Sequence, residues 1–202
     1  MTLNKGIKIF IPIFLIISMV LSYTVPFIEA SESISDEVFR LHILANSNSE
    51  ADQQLKLKVR DEILISGENL FKECNSVEEA INICSENLYF FEQVAQKCIN
   101  ENGFDYSVKA TVDKEYFNTR EYEKITLPSG IYNALKIEIG EANGKNWWCV
   151  MFPAICLPSV SDDEINEVLS DDEIKLINSN NKYEIRFKIV EIYEKIKSKA
   201  AR

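Results

Sequence analysis

His42 is the only histidine in this chain of 202 residues, so any imidazole chemistry must pass through it. A general base needs a nucleophile or a water within hydrogen-bond reach. The nearest hydroxyls in sequence belong to Ser47 and Ser49 of Asn46-Ser47-Asn48-Ser49, a run of short polar side chains suited to turns and helix caps. His42 therefore reads as a surface or partly buried structural residue beside Arg40. The many Asp and Glu residues single out no carboxylate pair for glycosidase-like chemistry, and no G-x-S-x-G, phosphate-binding loop or dinucleotide fingerprint occurs. Five cysteines without a C-x-x-C pair argue against a zinc site. Cys84 and Cys98 sit on one face of a helical stripe, roughly 21 Å apart along its axis, and read with Cys74 as reduced thiols. Cys149 and Cys156 flank Pro153 and read as a disulfide, with two buried thiols as the alternative. Neither a catalytic set, a metal nor a cofactor is implied.

Phe39, Leu41 and Ile43 alternate with Arg40 and His42, the period of a half-buried strand over 38–45. The strand enters the Asn46–Ser49 elbow and then a helix over 49–64, capped by Ser49 with Asp52 three residues on. Ala51, Leu55, Val59 and Ile63 form its core stripe, with Gly67 just beyond; Lys56, Lys58 and Arg60 face solvent or a partner. The elbow has two readings: a tight strand-to-helix turn, or a polar edge and helix start presented to a partner. A second helix opens at Ser76-Val77-Glu78-Glu79 and carries one apolar stripe from Val77 to Cys98, stopped by Asn102-Gly103. Strands follow over 104–112, at Tyr122–Leu127, turning through Pro128-Ser129-Gly130 into an antiparallel return at Tyr132–Ile139, and over Trp147–Phe152. Adjacent strand residues face opposite ways, so one of Trp147 and Trp148 fills the core; the other is either an exterior anchor for a partner or also covered. The segment 159–181 reads as an acidic loop or short surface helix. The end of the chain fits both strand and helix periods, and helix propensity decides for helix.

The expected fold is α+β: a mostly antiparallel sheet of about five strands, two main helices on one face, and a C-terminal helix. At the N-terminus Lys5 and Lys8 precede the apolar run Ile9–Leu21, the form of an export signal. Apolar character continues to Ile28, enough to cross a bilayer of roughly 30 Å. Residues 1–30 are thus a signal peptide cut after Ala30 or a retained anchor, with membrane association through residues 7–28, and 31–202 form one extracytoplasmic domain. The formal net charge of -10 argues against nucleic acid and anionic membrane surfaces as partners.

Three segments carry a family resemblance: Arg40 to Asp61 with its elbow, Thr119-Arg120-Glu121-Tyr122 leading to Leu127-Pro128-Ser129-Gly130, and Gly144-Lys145-Asn146-Trp147-Trp148-Cys149-Val150-Met151-Phe152-Pro153-Ala154-Ile155-Cys156. In this order, after an export segment, they resemble the stage II sporulation protein R family of endospore-forming bacteria over most of residues 34–157. The resemblance implies a forespore protein exported into the space between the two sporulation membranes. There it would activate a membrane-embedded aspartic protease that matures pro-sigma E, acting as a signalling ligand and not as an enzyme. Arg40, His42, Asn46, Ser47, Asn48, Ser49, Asp52, Trp147 and Trp148 are the expected partner-binding residues. The competing expectations are an extracytoplasmic cell-wall hydrolase and a soluble scaffold.

Overall fold

The computed structural model describes residues 5–72, 74–122, 125–153, 173–174, 177 and 184–200. Helix α1 (Lys5–Asp36) leads into strand β1 (Phe39–Leu44), followed by α2 (Glu50–Phe71), α3 (Val77–Glu86), α4 (Leu88–Glu101), β2 (Val108–Phe117), β3 (Arg120–Glu121), β4 (Thr126–Leu127), β5 (Gly130–Ile139), β6 (Asn146–Phe152) and the C-terminal helix α5 (Glu184–Ala200). The fold is α+β. Its main sheet has four strands in the order β2-β5-β1-β6, and β3 and β4 form a separate two-stranded ribbon. Two of the three pairings in the main sheet are antiparallel, but β1 runs parallel to β5, so the sheet is mixed.

The expected hairpin between Tyr122–Leu127 and Tyr132–Ile139 does not form. β5 pairs instead with β2, from Val108↔Ile139 to Phe117↔Gly130, because a full-length ladder satisfies far more backbone groups than the two residues of β4 can. β2 accordingly starts later than expected and runs through Phe117. The period-two face was read correctly: Val108, Ala110 and Val112 all turn toward the helices.

Beneath α2–α4, Leu41, Ile43, Leu135, Ile137, Cys149 and Met151 of the sheet meet Leu55, Val59, Ile63, Phe91, Ala95 and Ile99. Both expected caps are present, with the Asp52 amide donating to Ser49 Oγ and the Glu79 amide to Ser76 Oγ, each at 3.2 Å. Three local expectations fail. Ala51 is exposed and the buried stripe of α2 opens instead on Asp52. Gly67 does not end α2; it lies inside, where a side chain would press on Met151 and Phe71. The long second helix breaks at Asn87, whose side chain donates to the Ile83 carbonyl at 2.8 Å while its backbone sits at φ -112°, ψ 23°. An Asn that bonds nearby backbone competes with the helix ladder. The stop is as expected: α4 ends before Gly103, which has φ +82°.

The opposite face of the sheet is covered too. Ile34 and Val38 from the end of α1, Leu127 of the ribbon and Ile177 pack with Phe117, Tyr132, Ala134 and Val150. Further along α1, Phe27 packs edge-on against Phe187 of α5, ring centroids 5.5 Å apart, with Val190 beside them. Beyond that contact Phe10, Phe14, Ile16, Met19 and Tyr23 are among the exposed apolar side chains of α1, and the helix is long and apolar enough to cross a membrane.

Cys74, Cys84 and Cys98 are free thiols, and burial pushes the Cys84 thiol up to about 12. Cys149 is disulfide-bonded; Cys156, its expected partner, lies outside the described residues, as does most of the acidic segment 159–181.

Candidate functional site

Asp52 organises the elbow. Its carboxylate accepts from Ser47 Oγ at 2.6 Å and from Asn46 Nδ2 at 3.0 Å. Burial would raise its pKa, but hydrogen bonds from Ser47, Asn46, Tyr106 and Ser49 outweigh that effect and hold it below the usual carboxylate value. Asn46 spends its Oδ1 on the Glu141 amide at 3.0 Å, and Asn48 its Oδ1 on the Lys145 amide at 2.8 Å. The elbow is thereby tied to the β5–β6 turn, where the Gly144 amide also donates to the Ala45 carbonyl at 2.9 Å. Gln53 Nε2 closes the back of the turn on the Ser47 carbonyl at 2.8 Å. Most polar groups of the elbow are consumed by the fold, which favours the turn reading for Asn46, Ser47 and Asp52. Asn48 and Ser49 remain exposed at its tip.

The clamp demands glycine at 144. A Cβ there would overlap the Ser47 carbonyl group, with the carbonyl carbon 2.7 Å away, and backbone cannot swing aside as a side-chain tip can. Gly144→Ala is expected to lower stability by about 2 to 3 kcal/mol, measured by chemical denaturation.

Arg40 and His42 correct the sequence reading most. His42 was read as a surface or partly buried residue beside Arg40, yet Arg40 is fully buried and His42 is 5 % exposed. The second layer formed by α1 and the β3–β4 ribbon is the physical reason. The His42 ring stacks on Trp148 with centroids 3.9 Å apart. Its Nδ1 lies 2.5 Å from Glu115 Oε2, and its Nε2 lies 3.0 Å from Asn146 Oδ1. With a carboxylate accepting at Nδ1, the second contact is filled either by the N–H of an imidazolium or by the Asn146 amide turned to donate. Lys136 bridges Glu115 at 3.7 Å and Glu138 at 3.0 Å, extending an ion network over three strands. Arg40 is held by rings, its guanidinium carbon 4.1 Å from the Phe117 centroid and 4.8 Å from that of Tyr132.

The two tryptophans do face opposite ways. Trp147 is half-buried under α2, where the Arg60 guanidinium lies 4.6 Å above its ring. Trp148 is also half-buried, roofing His42 on the other face. Neither is a fully exposed anchor. Lys56, expected to face solvent or a partner, is 3 % exposed and donates to the Lys145 carbonyl at 2.8 Å; the elbow clamp recruits it. The structure thus divides the predicted residues between two places, with Trp147 apart from both under α2. Asn46, Ser47, Asn48, Ser49 and Asp52 make the elbow, while Arg40, His42 and Trp148 share a cluster with Glu115, Phe117 and Tyr122. Glu115 and Phe117 went unrecognised as its members because β5 lies between β1 and β2, and Tyr122 because it follows β3 of the separate ribbon; no local pattern reports either placement.

The cluster offers a carboxylate–imidazole pair, but the far ring nitrogen meets an amide and not a hydroxyl or thiol. Among the described residues no group of three or more His, Cys, Asp or Glu could hold a metal ion.

Fold and site define an α+β domain carried on a long apolar helix, built around a buried cationic and aromatic cluster beside a rigid polar elbow. A family profile for stage II sporulation protein R matches residues 35–162. Over 140 residues the chain is 36% identical to stage II sporulation protein R of Bacillus subtilis (strain 168), a match covering 69% of this chain and 62% of that protein. No solved structure matches the chain significantly. The chain belongs to the stage II sporulation protein R family, and that membership supports a role in sporulation.

Proposed function

We propose that the chain is an exported signalling ligand of sporulation. It binds the extracytoplasmic part of a membrane-embedded aspartic protease and favours its active state, and so promotes pro-sigma E processing across the space between forespore and mother cell. A ligand does this by binding the active state more tightly than the inactive one. The observation that carries a binding reading over a catalytic one is the state of His42. Both ring nitrogens are engaged by Glu115 and Asn146 and one ring face is closed by Trp148, which leaves no nitrogen directed at a substrate. A hydrolase that used this imidazole as its base would need one of those nitrogens free to face a water or a nucleophile.

His42→Ala separates the two. It removes the stack on Trp148 and strands Asn146, so stability is expected to fall by about 2 to 3 kcal/mol, with protease activation reduced only as far as the folded fraction falls. Melting temperature and activation measured on the same preparations check this. Loss of all activity in a fully folded variant would favour the hydrolase.

Residues 1–30 are read as a retained anchor. Helix α1 runs unbroken through Ala30-Ser31, and Phe27 on the N-terminal side of that point packs against α5. A cut after Ala30 would part Phe27 from Phe187 and Val190, so its cost to packing supports retention. The mass of the protein recovered from the producing membrane checks it, with loss of residues 1–30 as the contrary result.

A further inference from the structure

Arg40 is a buried cation with no anionic partner among the described residues. Its Nη2 donates to the Tyr122 hydroxyl and its Nε lies 3.5 Å from the Cys149 carbonyl, but Nη1 is buried with no hydrogen-bond partner among the described residues. The nearby charge is a second cation, Arg120, whose guanidinium carbon lies 5.7 Å over the Trp148 ring and whose Nε is likewise buried and unpartnered. Tyr122 does not supply the missing charge, because burial raises its pKa and keeps it a neutral phenol. Two guanidinium groups in one aromatic enclosure, with no carboxylate paired to either at this point among the described residues, are strongly unfavourable unless a negative charge joins them.

We propose that Arg40 and Arg120 together hold one carboxylate, an Asp or Glu side chain of the partner protein, entering past the half-exposed rings of Tyr122 and Trp148. Each arginine keeps one buried donor without a partner, Arg40 at Nη1 and Arg120 at Nε, and a carboxylate has two oxygens to accept from them, the kind of anion that arginine pairs with best. The chain around them carries a net charge of -10, so a polyanion such as nucleic acid or an anionic lipid surface is repelled, while a single charge carried into a closed contact is not. The identity of the partner rests on the activator reading above; the site itself does not.

Full-length protein in detergent micelles, with Trp147→Phe so that Trp148 alone reports, is titrated with acetate against chloride at equal ionic strength. The expected result is a saturable change in fluorescence with acetate only, at least tenfold weaker in Arg120→Gln and lost in Arg40→Met. Arg40→Met also removes an uncompensated charge and is expected to melt no lower than the parent. Should it fail to fold, Arg120→Gln at the half-exposed rim decides alone. Equal responses to acetate and chloride, or a wild-type acetate response in folded Arg120→Gln, would overturn the site. Arg120→Gln is then assayed for protease activation. Normal activation despite lost acetate binding overturns the partner carboxylate, whereas a wild-type chain that never activates the protease overturns the activator reading and leaves the acetate result intact.

Discussion

Deleting residues 2–30 is expected to abolish signalling. The deletion removes the basic start and the apolar run that we propose direct export, so the remaining domain is expected to stay in the compartment that makes it. It also removes Phe27, which packs on Phe187 and Val190, so α5 keeps its polar contacts with Glu32 of α1 without that packing and is expected to become the first region cut by limited proteolysis. Fractionation of the producing cells, with the protease processing read in parallel, measures both effects. Supplying a foreign cleavable signal peptide separates them: export returns while the anchor does not, and signalling is expected to remain well below wild type. Wild-type signalling from the plain deletion would contradict export as a requirement.

Asp52→Ala is expected to cost about 3 kcal/mol of stability. The carboxylate accepts from Ser47 and Asn46 and is 4 % exposed, so truncation leaves buried donors unpaired and frees the β5–β6 turn that Asn46 and Asn48 secure. The same site makes the domain sensitive to acid. A carboxyl with a folded pKa below its unfolded value contributes stability that is fully present above the unfolded value, near pH 4, and is lost as pH falls through the folded one. Asp52→Asn should therefore be less stable than wild type at neutral pH and converge on it below about pH 4. Denaturant midpoints taken across that range for both proteins test the sign; a gap that stays constant with pH would exclude the linkage.

Local chemistry made part of this molecule legible. The alternation of Phe39, Leu41 and Ile43 showed one face of β1, Ser49 and Ser76 marked helix starts, Gly103 marked a stop, and the stripe from Val77 to Cys98 showed a buried helix face even though Asn87 divides it. What escaped depends on distant parts of the chain. Arg40 and His42 look solvent-facing in a strand with one covered side, and only the arrival of α1 and the β3–β4 ribbon buries them. Glu115 belongs to β2, two strands away from His42, and reaches it because β5 intervenes in the sheet but not in the local sequence. The parallel β1–β5 pairing likewise has no local signature. The elbow was recognised as a place, while its balance between structure and recognition became visible only once its hydrogen bonds ran to residues 141 and 145.

We propose that this chain works by binding a protease and not by chemistry of its own. The direct measurement is a titration of purified full-length protein into membranes that carry the aspartic protease, with pro-sigma E as the substrate and processing rate as the readout. A ligand gives a rate that rises with added protein and levels off near one equivalent per protease binding site, with the two proteins recovered as a complex. Full processing at a small fraction of an equivalent, accumulating with time and without a recoverable complex, would contradict it.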